Sequence, residues 1–189
     1  MSCKAVLAGC HSIEHGFFMG EDNLKRMADH QIFWVPTAVT MKAYQDAMHR
    51  RVQSLTSPIP AKDPGVSQFK AMAQGALRNL DHQLEQLSRA KTLGVPIAVG
   101  TDSGNPGVHH GPSISQEIGL LVAAGFSIEE SIQCACANGA ELLDLKHCGR
   151  LEKGMDATFI AVNGPPDHLL ENLASPTAVY IKGRATITN

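Results

Sequence analysis

Three short strand-like runs, each followed by a helical pattern, constrain the fold of this chain more than any other feature. The first runs from Cys10 to His15 and is closed by Gly16. The second is Ile32-Phe33-Trp34-Val35, closed by Pro36. The third, Val95 to Val99, leads into Gly100-Thr101-Asp102. Short apolar runs of this kind, bounded by turn-forming residues, mark buried strands. A helix between two strands carries the chain back, so the next strand runs parallel to the last. The expected class is therefore α/β. After Gly149 the period changes: Thr158 to Val162 and Ala178 to Ile181 read as strands without helices between them, and Gly183 turns the chain into 185–188. Residues 1–149 form the parallel part and residues 150–189 a small antiparallel element.

The intervening segments carry helical signatures. Residues 1–8 read as a helix ended by Gly9, and Asp22 to Asp29 as a helix capped by Asp22 with Leu24, Met27 and Ala28 on one face. Met41 to Leu55 follows, with Tyr44, Ala47, Met48, Val52 and Leu55 at helical spacing. Pro58, Pro60, Pro64 and Gly65 mark a loop. Phe69, Met72, Ala73, Ala76, Leu80, Leu84 and Leu87 then make one apolar stripe, ended by Gly94. Residues 103–112 are a loop. Two capping boxes are expected: Ser113 with Gln116, opening a helix that turns Ile114, Ile118, Leu121 and Val122 inward and ends at Gly125, and Ser127 with Glu130.

Composition removes several function classes. A net charge of −2, with basic residues scattered, offers no surface for nucleic acid. With 43% hydrophobic and 18% charged residues the chain is globular in character, and no apolar run approaches the roughly 20 residues that span a bilayer. The N-terminus lacks a useful signal-peptide core. The five cysteines show no metal-knuckle spacing and read as reduced thiols, so the expected location is cytoplasmic.

His15 and Asp102 each stand at the carboxyl end of a strand, where βα architectures place functional groups. An imidazole is a ready metal ligand; a carboxylate binds metal or takes a proton from water. Taken singly, a histidine after a strand also fits a hydrogen-bonded core residue, and G-T-D also fits a capped turn.

The order of motifs carries more weight. S-I-E-H-G (12–16), V-P-T (35–37), G-V-P-I-A-V-G-T-D (94–102), H-G (110–111), E-x-x-x-L-V-x-A-G (117–125), A-N-G-A-E-L-L (137–143) and G-R-L-E-K-G-M-D-A-T-F-I (149–160) follow one another. This series resembles the C-terminal half of the amidohydrolase superfamily. It looks closest to the imidazolonepropionase-like branch that includes Xaa-Pro dipeptidase-type enzymes.

The resemblance implies a partial (β/α)8 barrel, about its last three βα units, with the C-terminal strands of a small β-sandwich. It implies one or two divalent metals, usually zinc. It makes His15 a metal ligand and Asp102 both metal ligand and general base. His110, or its neighbour His109, becomes a substrate-pocket residue. The substrate class is a small amide, dipeptide or cyclic amide, hydrolysed at a C–N bond; deamination of a ring by the same water activation is the alternative. The family's H-x-H, its lysine or glutamate and its further histidine have no counterpart here. The expectation is therefore that this stretch needs the other half of the barrel, or pairs with a copy of itself through open sheet edges, and that alone it is a non-catalytic fragment. His11 and Glu14 are expected to be structural, and His30, His49, His82, His147 and His168 exposed.

Overall fold

The computed structural model describes residues 2–55 and 64–188. Helix α1 (Ser2–Leu7) leads to strand β1 (Ser12–Glu14), helix α2 (Glu21–Asp29) and strand β2 (Phe33–Val35). Helices α3 (Ala38–Leu55), α4 (Pro64–Leu93), α5 (Ser113–Ala123), α6 (Ile128–Ala135) and α7 (Ala137–Leu142) follow. The C-terminal part holds β3 (Phe159–Ala161), the single-turn α8 (Leu169–Asn172), β4 (Ala178–Ile181) and β5 (Arg184–Thr188). The chain is α/β, as expected.

β1 and β2 pair in parallel, Ile13 opposite Trp34. Phe33 N donates to His11 O and His15 N to Val35 O, so the pairing reaches both ends of the expected first strand. The expected third strand, 95–99, is reduced to one parallel bridge between Trp34 and Ile97. Trp34 N donates to Pro96 O and Ala98 N to Trp34 O. Pro96 has no N–H to extend the ladder, and Val99 N is drawn away to Cys134 O. The segment still lies beside β2, parallel to it.

The core gathers around Trp34, which is 0% exposed. Ile13, Leu24, Met27, Leu87, Ile97 and Leu121 belong to the same buried cluster. Leu24 and Met27 come from the expected face of α2, but Asp22 does not cap that helix; it starts at Glu21, with Gly20 at the cap position. α3 starts at Ala38, three residues earlier than its apolar spacing suggests. On α4 the buried positions are Ala76, Leu80, Gln83, Gln86, Leu87 and Ala90, so two glutamines share the inward face with the apolar residues. Of the expected proline loop, Pro58 and Pro60 lie outside the described residues, and Pro64 and Gly65 open α4.

One capping box forms and one does not. Ser127 Oγ accepts from Glu130 N, and Glu130 Oε2 accepts from Ser127 N at 2.6 Å. Ser113 is instead the first residue of α5, its hydroxyl taken by His109 N at 2.8 Å. The inward face of α5 is correspondingly rotated. Ile118 and Leu121 are buried with Glu117, whereas Ile114 and Val122 are 40% and 37% exposed.

β3, β4 and β5 form a second, antiparallel sheet. Phe159 lies opposite Tyr180, their rings stacked at 4.7 Å. Among the described residues no helix is long and apolar enough to cross a membrane.

Candidate functional site

The carboxyl ends of the three parallel segments each carry a polar residue in the left-handed backbone region: His15 (φ 63°), Thr37 (φ 47°) and Asp102 (φ 51°). None is glycine, and a β-branched threonine avoids this region most strongly. Each such residue costs on the order of 1–3 kcal/mol and persists only where its surroundings over-determine it. Of the six described non-glycine residues in the left-handed region, Gln31, Asp144 and Lys182 lie in turns, and the other three stand at adjacent strand ends.

The surroundings do over-determine them. His15 is tied through its N–H to Val35 O at 2.9 Å, and its carbonyl accepts from Trp34 Nε1 at 2.9 Å. The next residue, Gly16, passes so close to Trp34 and Met19 that a Cβ would lie 2.7 Å from Met19 Cε and 3.2 Å from Trp34 Nε1. Gly100 likewise lets the third segment approach β2, since a Cβ there would stand 2.5 Å from Val35 Cγ1. Asp102 is held by Asn105, whose Nδ2 donates to Asp102 O at 2.9 Å and to Oδ2 at 2.7 Å.

The ring of His15 is oriented by Thr37: Nδ1 and Thr37 Oγ1 are 2.8 Å apart. Thr37 itself is buried, and its carbonyl accepts from Thr40 N and Oγ1. Behind the turn, Ala38 N and Val39 N donate to the two oxygens of Glu117, at 2.9 and 2.6 Å. Burial pushes the Glu117 carboxyl up to about 7, against the pull of those two backbone hydrogen bonds.

His15 and Asp102 line one cavity of about 420 Å³, with Phe17, Thr40, Tyr44 and Asn105. The structure thus brings the two strand-end residues to a common space. His109 lies elsewhere. It lines a neighbouring hollow of about 460 Å³ with Val39, Lys42, Arg50 and Gln116. Thr40 and Tyr44 face the first cavity and Val39 and Lys42 the second, so α3 separates them. His110 is exposed and lines neither. Glu14 points outward and accepts from Ser12 Oγ; His11 lines a hollow at the opposite, amino end of the strands. His30, His49, His147 and His168 are exposed, but His82 is half-buried, its ring stacked on Phe18 where α4 passes the loop after β1.

Sequence reasoning missed two residues here. Thr37 closes the V-P-T run (35–37), but that run gives it no role of its own. Glu117 carried a better signal: it stands four and seven residues before Leu121 and Ala124, on the buried face of its helix. A carboxylate at such a position needs partners, and the start of α3 supplies them. Among the described residues, no group of three histidines, cysteines or carboxylates is placed to hold a metal ion.

The description of the amidohydrolase family matches residues 5–186. This chain belongs to the amidohydrolase family. Among curated proteins it is 25% identical over 181 residues to an uncharacterized protein of Mycobacterium tuberculosis, covering 95% of this chain and 43% of that one. Among solved structures it is similar to a Xaa-Pro dipeptidase with methionine bound in its active site: 25% identity, TM-score 0.74, 98% of this chain and 42% of the other. An A. niger ochratoxinase matches at 24% identity and TM-score 0.71, over 99% and 39% of the two chains. A prolidase complexed with N-methylphosphonate-L-proline matches at 21% and 0.75, over 100% and 43%. The chain spans about 43% of the length of the curated relatives it matches.

Proposed function

We propose that this chain contributes part of the active centre of a metal-dependent hydrolase that cleaves a C–N bond in a small amide or dipeptide. The observation that carries this reading is the pairing of His15 and Asp102, from separate parallel segments, on one cavity at their carboxyl ends. Membership of the amidohydrolase family and the likeness to a Xaa-Pro dipeptidase support it.

The donor set suits a divalent metal such as zinc. Thr37 engages Nδ1 of His15, which leaves Nε2 as the nitrogen for a ligand. Asn105 engages Oδ2 of Asp102, and among the described residues no hydrogen bond reaches Oδ1. An imidazole nitrogen and a carboxylate oxygen are ordinary ligands of such an ion, but a catalytic site needs at least one more from protein. In this reading the rest comes from polypeptide beyond these residues. The three parallel segments are an arc of a (β/α)8 barrel completed along the free edges of β1 and of residues 95–99, and the antiparallel sheet belongs to a small β-sandwich. The completing polypeptide is another part of the barrel or a second copy of this chain.

When bound, the metal supplies Lewis acidity toward water and the amide carbonyl. Asp102 takes a proton from the attacking water and delivers it to the departing nitrogen. His15 holds the metal or the substrate in place. His109 lines the hollow across α3 from this cavity and His110 lines neither, so the substrate contact is assigned to residues of the His15 cavity such as Phe17 and Tyr44. The enzyme works in the cytoplasm.

The test is Asp102→Asn in the protein with its full ligand set, assayed on a panel of Xaa-Pro and other dipeptides. The expected result is a loss of at least ~10²-fold in kcat/KM, the range for removal of a general base, with thermal stability unchanged. Hydrolysis at the original rate would sink the assignment.

A further inference from the structure

One buried carboxylate plays no part in the chemistry above. Glu117 lies on α5, 0% exposed, and its two oxygens accept separately from Ala38 N and Val39 N. These are the first N–H groups of α3, which have no partners within the helix, and a negative charge there also meets the positive end of the helix dipole. From the other side, Gln83 Nε2 donates to Pro36 O at 2.8 Å. Thr40 Oγ1 donates to Thr37 O at 2.8 Å. The turn 36–39 is thus bracketed from α3, α4 and α5. Its outlet is the Thr37 side chain, which meets His15 Nδ1 at 2.8 Å.

We propose that Glu117 is a positioning residue: by clamping the turn between β2 and α3 it holds Thr37 Oγ1 against His15 Nδ1, and so selects the ring nitrogen that His15 presents to the cavity. The physical reason is the backbone of Thr37. At φ 47° a β-branched residue relaxes as soon as its anchors are released. Relaxation carries Oγ1 away from the ring. While the contact holds, Nδ1 is engaged with the Thr37 hydroxyl, one of the two atoms donating to the other, and Nε2 is the nitrogen left for a ligand. Without it, the imidazole returns to the tautomer mixture of free histidine. The inference rests on the reading of His15 as a site residue, and it adds the device that orients it.

The experiment reads the His15 ring directly, by long-range proton–nitrogen correlation NMR on the 189-residue chain with metal removed by chelator, above the titration range of histidine. The wild type is expected to show His15 held mainly in one tautomer, away from the mixture of free histidine. Thr37→Val is expected to shift the tautomer ratio by about fivefold, the equilibrium factor of a typical net hydrogen bond. Glu117→Ala is expected to shift it the same way, and the double variant no further than Thr37→Val alone, because both act through one contact. Glu117→Asp, which keeps a carboxylate, is expected to recover part of the wild-type ratio. A folded Glu117→Ala protein with the wild-type His15 signature overturns the proposal, since a merely structural Glu117 lowers the melting temperature without touching the ring. If Glu117→Ala does not fold, Glu117→Gln, equal in size and retaining one acceptor, reads the same outcome. The measurement needs neither substrate nor turnover, so a failed hydrolysis assay leaves it standing, and its own failure leaves the hydrolase reading standing.

Discussion

The parallel segments around Trp34 and the antiparallel sheet at the C-terminal end are built from similar residues and meet opposite fates. In the first, Ile13, Trp34 and Ile97 are covered, with helices α2, α4 and α5 contributing to the same cluster. In the second, no described position of β3, β4 or β5 is buried, and Ile160 is 50% exposed although it lies mid-strand. A parallel sheet requires cover on both faces, because its crossover helices must pack somewhere. An antiparallel sheet is stable with one face wet. The difference bears on function: the three left-handed residues that close the parallel segments sit on the covered region, whereas the one such residue of the antiparallel sheet, Lys182, lies in the exposed turn between β4 and β5.

Three measurements sharpen or break that contrast. The largest effect is expected from Trp34→Ala, which removes the centre of the core and the donor to His15 O; the loss is about 3–5 kcal/mol in denaturant unfolding. If the loss were below about 1 kcal/mol, the parallel region would not be the stable part of the chain.

The next concerns Glu117. Its carboxyl rises from an ordinary 4.5 to about 7 because burial disfavours the charged form. The folded protein therefore holds this proton more tightly than the unfolded chain. The stability it contributes is full below about pH 4.5 and is lost as pH rises through about 7, some ~3 kcal/mol over that span at ~1.4 kcal/mol per pH unit. Glu117→Gln, which has no proton to lose, should flatten the stability profile between pH 4.5 and 7. An unchanged slope would assign the pH dependence to other groups.

The smallest effect is expected at Ile160. Ile160→Ala should cost no more than about 0.5 kcal/mol, as at other exposed positions. A cost comparable with that of Trp34→Ala would mean that another polypeptide covers this sheet in solution, and the contrast between the two regions would vanish in the assembled protein.

Much of the fold was legible because each signal was local. β1 and β2 announced themselves through Gly16 and Pro36 and the apolar residues before them, and the capping box at Ser127 needed only a serine and a glutamate three apart. The third strand was legible as a segment but not as a ladder: whether Val99 N bonds along the sheet or to Cys134 O depends on a helix 35 residues later. α5 was placed correctly and rotated wrongly. Ile114 and Val122 have the hydrophobicity of core residues, while Glu117 has none, and the helix turned on the two N–H groups that Glu117 could satisfy. A buried pair of unmet donors costs more than leaving one isoleucine half in water.

The candidate site divides the same way. His15 and Asp102 followed from the sequence alone, because a polar residue closing a buried strand is a pattern in one dimension, and the ordered motifs from 12 to 160 assigned the family. That the two line one cavity, that His109 belongs to a different hollow across α3, and that Thr37 stands between His15 and a buried glutamate were decided only by tertiary structure. These are distances between elements far apart in the chain, set by how α3, α4 and α5 pack around one turn. No local propensity encodes them: residue types specify what each segment prefers, and packing specifies which preferences are overruled.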